Sequence, residues 1–311
     1  MRWQKKGQIF TADRQHEWMA HHAYVPIADK INDEVIRIYF GTRDHQNRTV
    51  ATFIEVEAKD PSNVLYVHDR PVLGLGQLGT FDDNGVTPSC IVTRDDKKYL
   101  FYVGWNRTVT VPYRNAIGVA ISEDGGLTFK RLYEGPIIDR NPLDPYFIAG
   151  HFVMIENGIW KIWYGSSTGW DIVNGQPEPR YLIKYAESSD VSNWVRKNQI
   201  CLSYKFESEA ISRPSVIKEN GGYRMWYCFR GNLDYRTNKA QSYRIGYAES
   251  SDGISWTRKD EQVGIEPSET GWDSIMVEYP FVYYHKEVKY MLYNGNGFGE
   301  TGFGYAVMTD D

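Results

Sequence analysis

The chain has 311 residues, 41% hydrophobic and 24% charged with both signs mixed, which is ample for a packed core and excludes a disordered segment. A net charge of −5 argues against the basic face of a nucleic-acid binder, and no apolar run approaches the roughly 18 residues that cross a bilayer, so neither nucleic acid nor membrane is expected as a partner. Cys90, Cys201 and Cys228 are odd in number and far apart, which predicts buried free thiols; no metal or other cofactor is expected. The start, Met1-Arg2-Trp3-Gln4-Lys5-Lys6, has no apolar segment after its charges and does not read as a secretory signal, which predicts a cytoplasmic protein.

The 23 tyrosines, 10 tryptophans and 28 glycines point to short strands punctuated by turns, and the chain repeats itself accordingly. Residues 1 to about 10 predict a strand whose Arg2-Trp3-Gln4-Lys5 resembles the later Trp256-Thr257-Arg258-Lys259. A first strand then starts near Pro26, and equivalents follow at Pro88, His151, Pro214 and Pro280. Each leads through a turn, such as Asn157-Gly158 or Asn220-Gly221, into an aromatic run: Arg37–Phe40, Tyr99–Tyr102, Trp160–Tyr164, Tyr223–Tyr227 and Tyr290–Tyr293. Third strands recur about every 60 residues at Ile117–Ser122, Lys184–Ser189, Gly246–Ser251 and Gly304–Val307. Acidic turns lead to aromatic-basic fourth strands around Phe129, Trp194 and Trp256; Ser122-Glu123-Asp124-Gly125-Gly126-Leu127-Thr128-Phe129 matches a structural Asp-box turn. The last copy lacks its fourth strand, which the N-terminal segment supplies. The prediction is an all-β chain: one domain over 1–311, a single five-bladed β-propeller of four-stranded antiparallel blades, closed by the N-terminal strand.

That architecture puts two sets of residues at the funnel mouth. Residues at the start of first strands include His21, His22, Asp82, Asp83, Thr87, Arg213, Glu278 and Tyr279; residues after second strands include Arg43, Asp44, Trp105, Asn106, Trp170, Arg230, Asn294 and Asn296. Segments 105–115, 165–181 and 230–243 read as loops long enough to line a pocket, and their Trp, Tyr, Arg and Asn content suits a hydroxyl-rich ligand. Asp82, Asp144, Glu207 and Asp273 recur at one place in four copies, so they read as structural ties between blades. The acids that break the repeat are the catalytic candidates: Glu278, where other copies carry Val86, Ala149 and Ser212; Asp83; and Asp44. One protonated and one ionised carboxyl in a dry funnel is what glycosidic bond cleavage needs. His21, His22, Arg43, Trp105, Asn106, Trp170, Arg213, Arg230, Tyr279, Asn294 and Asn296 are the expected substrate contacts. Absence of HExxH, a phosphate-loop glycine motif and GxSxG leaves zinc peptidase, P-loop and α/β-hydrolase readings without support.

Glu278-Tyr279-Pro280-Phe281-Val282, followed by Lys289-Tyr290-Met291-Leu292-Tyr293, resembles the segment in which five-bladed propeller glycosidases carry their general-acid glutamate. Those proteins include the arabinanases and xylosidases of glycoside hydrolase family forty-three, the invertases and levansucrases, and the mannoside phosphorylases. As a whole the chain is similar to glycosidase-like proteins found with bacterial surface-polysaccharide genes. The resemblance implies a carbohydrate-active enzyme, a glycoside hydrolase acting on a glycan or oligosaccharide, with Glu278 as its acid. The invertase-type and family forty-three first-blade motifs are absent around Pro26, so Asp83 and Asp44 stand on position alone. A sugar-binding propeller without chemistry, an interaction scaffold, and a phosphorylase or transferase acting on an anionic glycan remain open alternatives.

Overall fold

A computed structural model of the chain describes residues 1–14, 16–231, 233–236 and 238–309. Strand β1 (Arg2–Phe10) precedes a first four-stranded unit of β2 (His21–Lys30), β3 (Val35–Arg43), β4 (Thr49–Glu57) and β5 (Val64–Val67). Next come β6 (Gly85–Arg94), β7 (Lys97–Arg107), β8 (Tyr113–Ser122) and β9 (Lys130–Arg131), joined to the first unit by a single parallel bridge from Thr49 to Gly85. The sheets β10 (Ile148–Glu156), β11 (Ile159–Val173), β12 (Gln176–Ser188), β13 (Val195–Leu202) and β14 (Glu209–Glu219), β15 (Gly222–Gly231), β16 (Arg244–Ser250), β17 (Thr257–Arg258) each stand alone. The last sheet combines β18 (Glu278–His285), β19 (Val288–Asn294) and β20 (Phe303–Thr309) with β1, which pairs antiparallel from Arg2 opposite Thr309 to Phe10 opposite Phe303. Among the described residues there is no α-helix, and no helix is long and apolar enough to cross a membrane.

Alternating burial in the strands puts one aromatic or aliphatic face of each sheet against the next. Trp163, Trp226, Tyr39, Tyr102, Tyr164, Tyr227 and Tyr293 are fully buried between sheets, which explains the aromatic second strands. Trp3 of β1 packs edge-on against Trp226 at 5.9 Å, so the N-terminal strand is part of the core.

The repeated acids tie tyrosine to outer-strand cation. Asp82 accepts from Tyr102 at 3.0 Å and Arg131 at 2.8 Å, and Asp273 from Tyr293 at 3.0 Å and Lys5 at 2.7 Å. Asp144 accepts from Tyr164, Ser166, Lys184 and Arg196. Glu207 departs from this pattern. It is exposed, and Glu209, two residues on, takes the place by holding Arg258 bidentately at 2.8 Å and 2.8 Å. The reason is that β14 starts at Glu209, so that carboxylate is the one brought under the sheet. Asp124 receives the backbone N–H groups of Leu127 and Thr128 and the hydroxyls of Ser122 and Thr128, as a turn-forming residue does.

All three cysteines are free and buried. Two of them hold neighbouring units together: the Cys90 thiol donates to the Val153 carbonyl at 3.2 Å, and the Cys228 sulfur accepts the Tyr279 N–H at 2.9 Å.

Candidate functional site

The first strand of every unit is irregular at one height. β2 is bulged between Tyr24 and Ile27, β6 between Pro88 and Cys90, β10 between Ile148 and His151, β14 between Ser212 and Ser215, and β18 between Glu278 and Phe281. Val25, Arg213 and Tyr279, each just before a proline, have left-handed backbones with φ of 53°, 54° and 52°. For a β-branched residue such as Val25 that conformation is strained, and it persists because the surroundings impose it. Asn294 of β19 does so by accepting the Val25 N–H at 2.9 Å, while its amide donates to the carbonyls of Ala23 and Gly302.

Val25, Thr87, Gly150, Arg213 and Tyr279, the residues before the proline or its His151 counterpart, all border one cavity of about 320 Å³. Its wall also includes Tyr24, Trp105, Tyr113, Phe147, Tyr181, Tyr235, Tyr243 and Phe298 and the arginines Arg43, Arg230 and Arg236. Such aromatic faces, with donors between them, suit a sugar-sized ligand. Among the described residues that border it, none is an aspartate or glutamate.

The arginines differ in how they are held. Arg230 lies 3.7 Å over the Tyr235 ring and donates to the Tyr243 hydroxyl at 3.1 Å and the Pro179 carbonyl at 3.0 Å. Arg236 grips Glu178 through Nε at 3.0 Å and Nη2 at 3.3 Å, and Tyr235 donates to the same carboxylate at 2.7 Å. Arg43 sits 5.1 Å over Tyr24. Arg213 is 2% exposed; its Nη1 donates to the carbonyls of His151 and Pro214, while Nε and Nη2 have no partner among the described residues.

Glu278 stands immediately behind this wall, next to Tyr279, and is 0% exposed, with neither carboxyl oxygen hydrogen-bonded among the described residues. Burial pushes its pKa well above the usual carboxylate range; Tyr279 and the charges of Arg230, Arg236 and Arg43 oppose that shift without overcoming it. Burial thus favours its protonated, neutral form.

Of the residues singled out in the sequence, Arg43, Trp105, Arg213, Arg230 and Tyr279 border the cavity. Trp105 lies over Gly85, whose missing side chain is required, since a Cβ there would stand 1.8 Å from the indole nitrogen. Trp170 packs behind the wall on Tyr113 and Phe147, each at 5.4 Å. His21 and His22 bond each other through Nδ1 at 2.6 Å outside the wall; burial, then Arg43 and His21, bring His22 down to about 3, so it is neutral. Asn106 opposes Arg114 in the β7–β8 hairpin. Asn296 caps the chain at Ile275 with a 2.7 Å bond.

Asp44 closes a turn by accepting the N–H groups of Gln46 and Arg48 at 2.9 Å and the Arg48 side chain at 2.7 Å. Those bonds outweigh its burial and hold its pKa below the usual range. Asp83 accepts the Gly79 N–H at 2.9 Å in a loop. The structure therefore does not bring Asp44, Asp83 and Glu278 together around the cavity. The segment 165–181 is not a loop: β11 and β12 continue through it as a hairpin from Ser166 opposite Leu182 to Val173 opposite Gln176. Tyr113, Tyr181, Tyr235, Arg236 and Tyr243 were not singled out, though each lies within or at the edge of the segments marked as pocket-forming.

Two proteins of Mycobacterium tuberculosis, described as uncharacterized proteins MT1551 and Rv1502, are each 38% identical to this chain over 309 residues, 99% of both partners. The chain belongs to their family. No protein-family model matches it. Family membership thus gives a full-length relationship, and the fold gives a wider one. A solved glycoside hydrolase superposes with a TM-score of 0.76 at 15% identity, over 98% of this chain and 90% of its own. A thermostable family-43 glycoside hydrolase gives 0.68 at 15% identity over 99% and 94%. A Bombyx mori GH32 beta-fructofuranosidase mutant in complex with sucrose gives 0.60 at 13% over 93% and 61%. The family therefore shares the fold of the propeller glycoside hydrolases.

Proposed function

We propose that the four-stranded units are five blades of one closed propeller over residues 1–311, and that the chain acts on a glycan in the cavity at its axis, cleaving a glycosidic bond with Glu278 as proton donor. The observation that carries this reading is the fully buried Glu278 carboxyl, raised in pKa by its burial, next to a cavity walled by aromatic rings and arginines. A leaving glycosidic oxygen needs a proton at neutral pH, and an acid kept from ionising by burial is able to supply it. Tyr279, the next residue in the chain, borders the cavity. The glycoside hydrolases of the same fold, one of them seen with sucrose, support a sugar as the ligand.

A specific observation favours a second reading, in which the bond is broken by an oxyanion such as inorganic phosphate or by transfer. Hydrolysis ordinarily uses a second carboxylate as base or nucleophile, and no described residue of the cavity wall provides one. Arginines occupy the wall instead.

Replacement of Glu278 by Gln tests the proton-donor role. On glycosides with poor leaving groups the rate should fall about 10²–10⁴-fold, and on activated aryl glycosides far less. Equal losses on both would mean that Glu278 positions the sugar and donates no proton.

A further inference from the structure

We infer that the substrate of this cavity carries an anionic group, a carboxylate or a phosphate, and that Arg213 is its anchor. The inference rests on the glycan reading of the cavity and narrows its substrate class. Its basis is a charge without a counter-charge. Arg213 is buried, borders the cavity, and has no carboxylate of the described residues within ion-pair distance; the groups around it are Cys90, Cys228 and Tyr279, besides the neutral His151 imidazole and the Phe281 ring 6.0 Å away. Burial brings the guanidinium only to about 10, so it is cationic at pH 7, while burial keeps Cys90, Cys228 and Tyr279 protonated and neutral. A buried cation with no counter-charge is costly to fold, and such sites are kept where a ligand supplies the missing charge.

The donors left over have the right geometry. Nη1 is spent on two backbone carbonyls, and the two atoms without a partner among the described residues, Nε and Nη2, form one edge of the fork. The same edge holds Glu55 on Arg37, at 3.0 and 2.6 Å, and Glu178 on Arg236, at 3.0 and 3.3 Å. On Arg236 that edge grips both oxygens of the carboxylate and on Arg37 it grips one, so in this chain it is the edge that holds an oxyanion. The neighbouring strand makes room for it. At Gly150 an added Cβ would come within 3.2 Å of the Arg213 Cδ and 3.4 Å of its Cα. Glycine at that position lets Arg213 lie along the cavity floor.

Binding of sodium phosphate, sodium D-glucuronate and D-glucose to the whole protein, at one ionic strength and pH 7, tests this by calorimetry. At least one of the two anions should bind more tightly than glucose, and Arg213→Gln should weaken that binding about tenfold or more. Gly150→Ala, which leaves the arginine in place but crowds it, should weaken it as well, and carries the test if Arg213→Gln does not fold. Tighter phosphate assigns the charge to a phosphate, tighter glucuronate to a sugar carboxylate. Anions that bind no better than glucose, or that bind wild type and both variants alike, overturn the inference. A neutral oligosaccharide bound equally by wild type and Arg213→Gln would sink the anchor and spare the glycan reading. Anion binding with no oligosaccharide bound would do the reverse.

Discussion

Arg213 and Glu278 are the residues for which this chain gives up stability. Burial raises the folded pKa of Glu278, and the group ionises freely when unfolded, so above its unfolded pKa the native state binds more protons than the unfolded one. Stability should therefore fall as pH rises from about 5, by up to about 1.4 kcal/mol per pH unit, until the folded pKa is reached. Glu278→Gln removes that slope. Its melting temperature should exceed that of wild type at pH 8 and approach it at pH 5, which thermal unfolding at the two values would check. A variant less stable than wild type at pH 8 would refute the buried, protonated assignment. Glu278 is legible in the sequence because it breaks the repeat, and Arg213 because of its place just before a first-strand proline. Asn294 was misleading for the same reason that makes it essential: a polar residue at the end of a second strand looks like a ligand contact, and only the fold reveals the strained Val25 backbone it restrains. Tyr235 and Arg236 lie in the β15–β16 connection, which carries no repeated motif, so repeat register could not pick them out.

At the level of the strand, buried acid, tyrosine and outer-strand cation form a recurring brace. Asp144 shows it most fully. Burial alone would raise its pKa, but hydrogen bonds from Ser166 and Lys184 and the charges of Lys184 and Arg196 bring it below the usual value. A folded pKa below the unfolded one stabilises the chain above about pH 4 and ceases to do so as pH falls through the folded value. Asp144→Asn leaves Lys184 and Arg196 without their counter-charge and should cost about 3–5 kcal/mol at pH 7, and less at an acidic pH where the folded carboxyl takes up its proton, measured by urea unfolding at the two pH values. An equal cost at both pH values would show that the brace works through packing instead of charge. The acids of this brace were readable from spacing in three units. In the fourth, spacing pointed to Glu207 and the start of β14 selects Glu209, because a strand boundary shifted by two residues changes which side chain lies under the sheet. The hairpin through 165–181 was hidden for a related reason: its Gly, Ser, Asn and Pro content reads as loop, while its pairing is fixed by the partner strand.

For the molecule as a whole, the pairing of β1 with β20 joins residues some 300 positions apart. Deleting residues 1–10 removes Trp3 from its pocket on Trp226, takes Lys5 from Asp273 and leaves β20 as an open edge. Several kcal/mol of lost packing should lower the melting temperature by roughly 10 °C or more and promote association, which calorimetry and light scattering would register. Unchanged melting would mean that the first strand is an accessory. The likeness of Arg2-Trp3-Gln4-Lys5 to Trp256-Thr257-Arg258-Lys259 makes this pairing legible from residue types alone, since both segments carry the aromatic-basic pattern of an outer strand. The bulges of the first strands have a consequence for how such a protein can change. At positions 25, 87, 150, 213 and 279 the chain carries Val, Thr, Gly, Arg and Tyr, yet all five border the same cavity, because the bulges of the first strands bring these positions to it whatever their chemistry. Ligand preference can then drift one position at a time, with the strands that carry these positions left as they were.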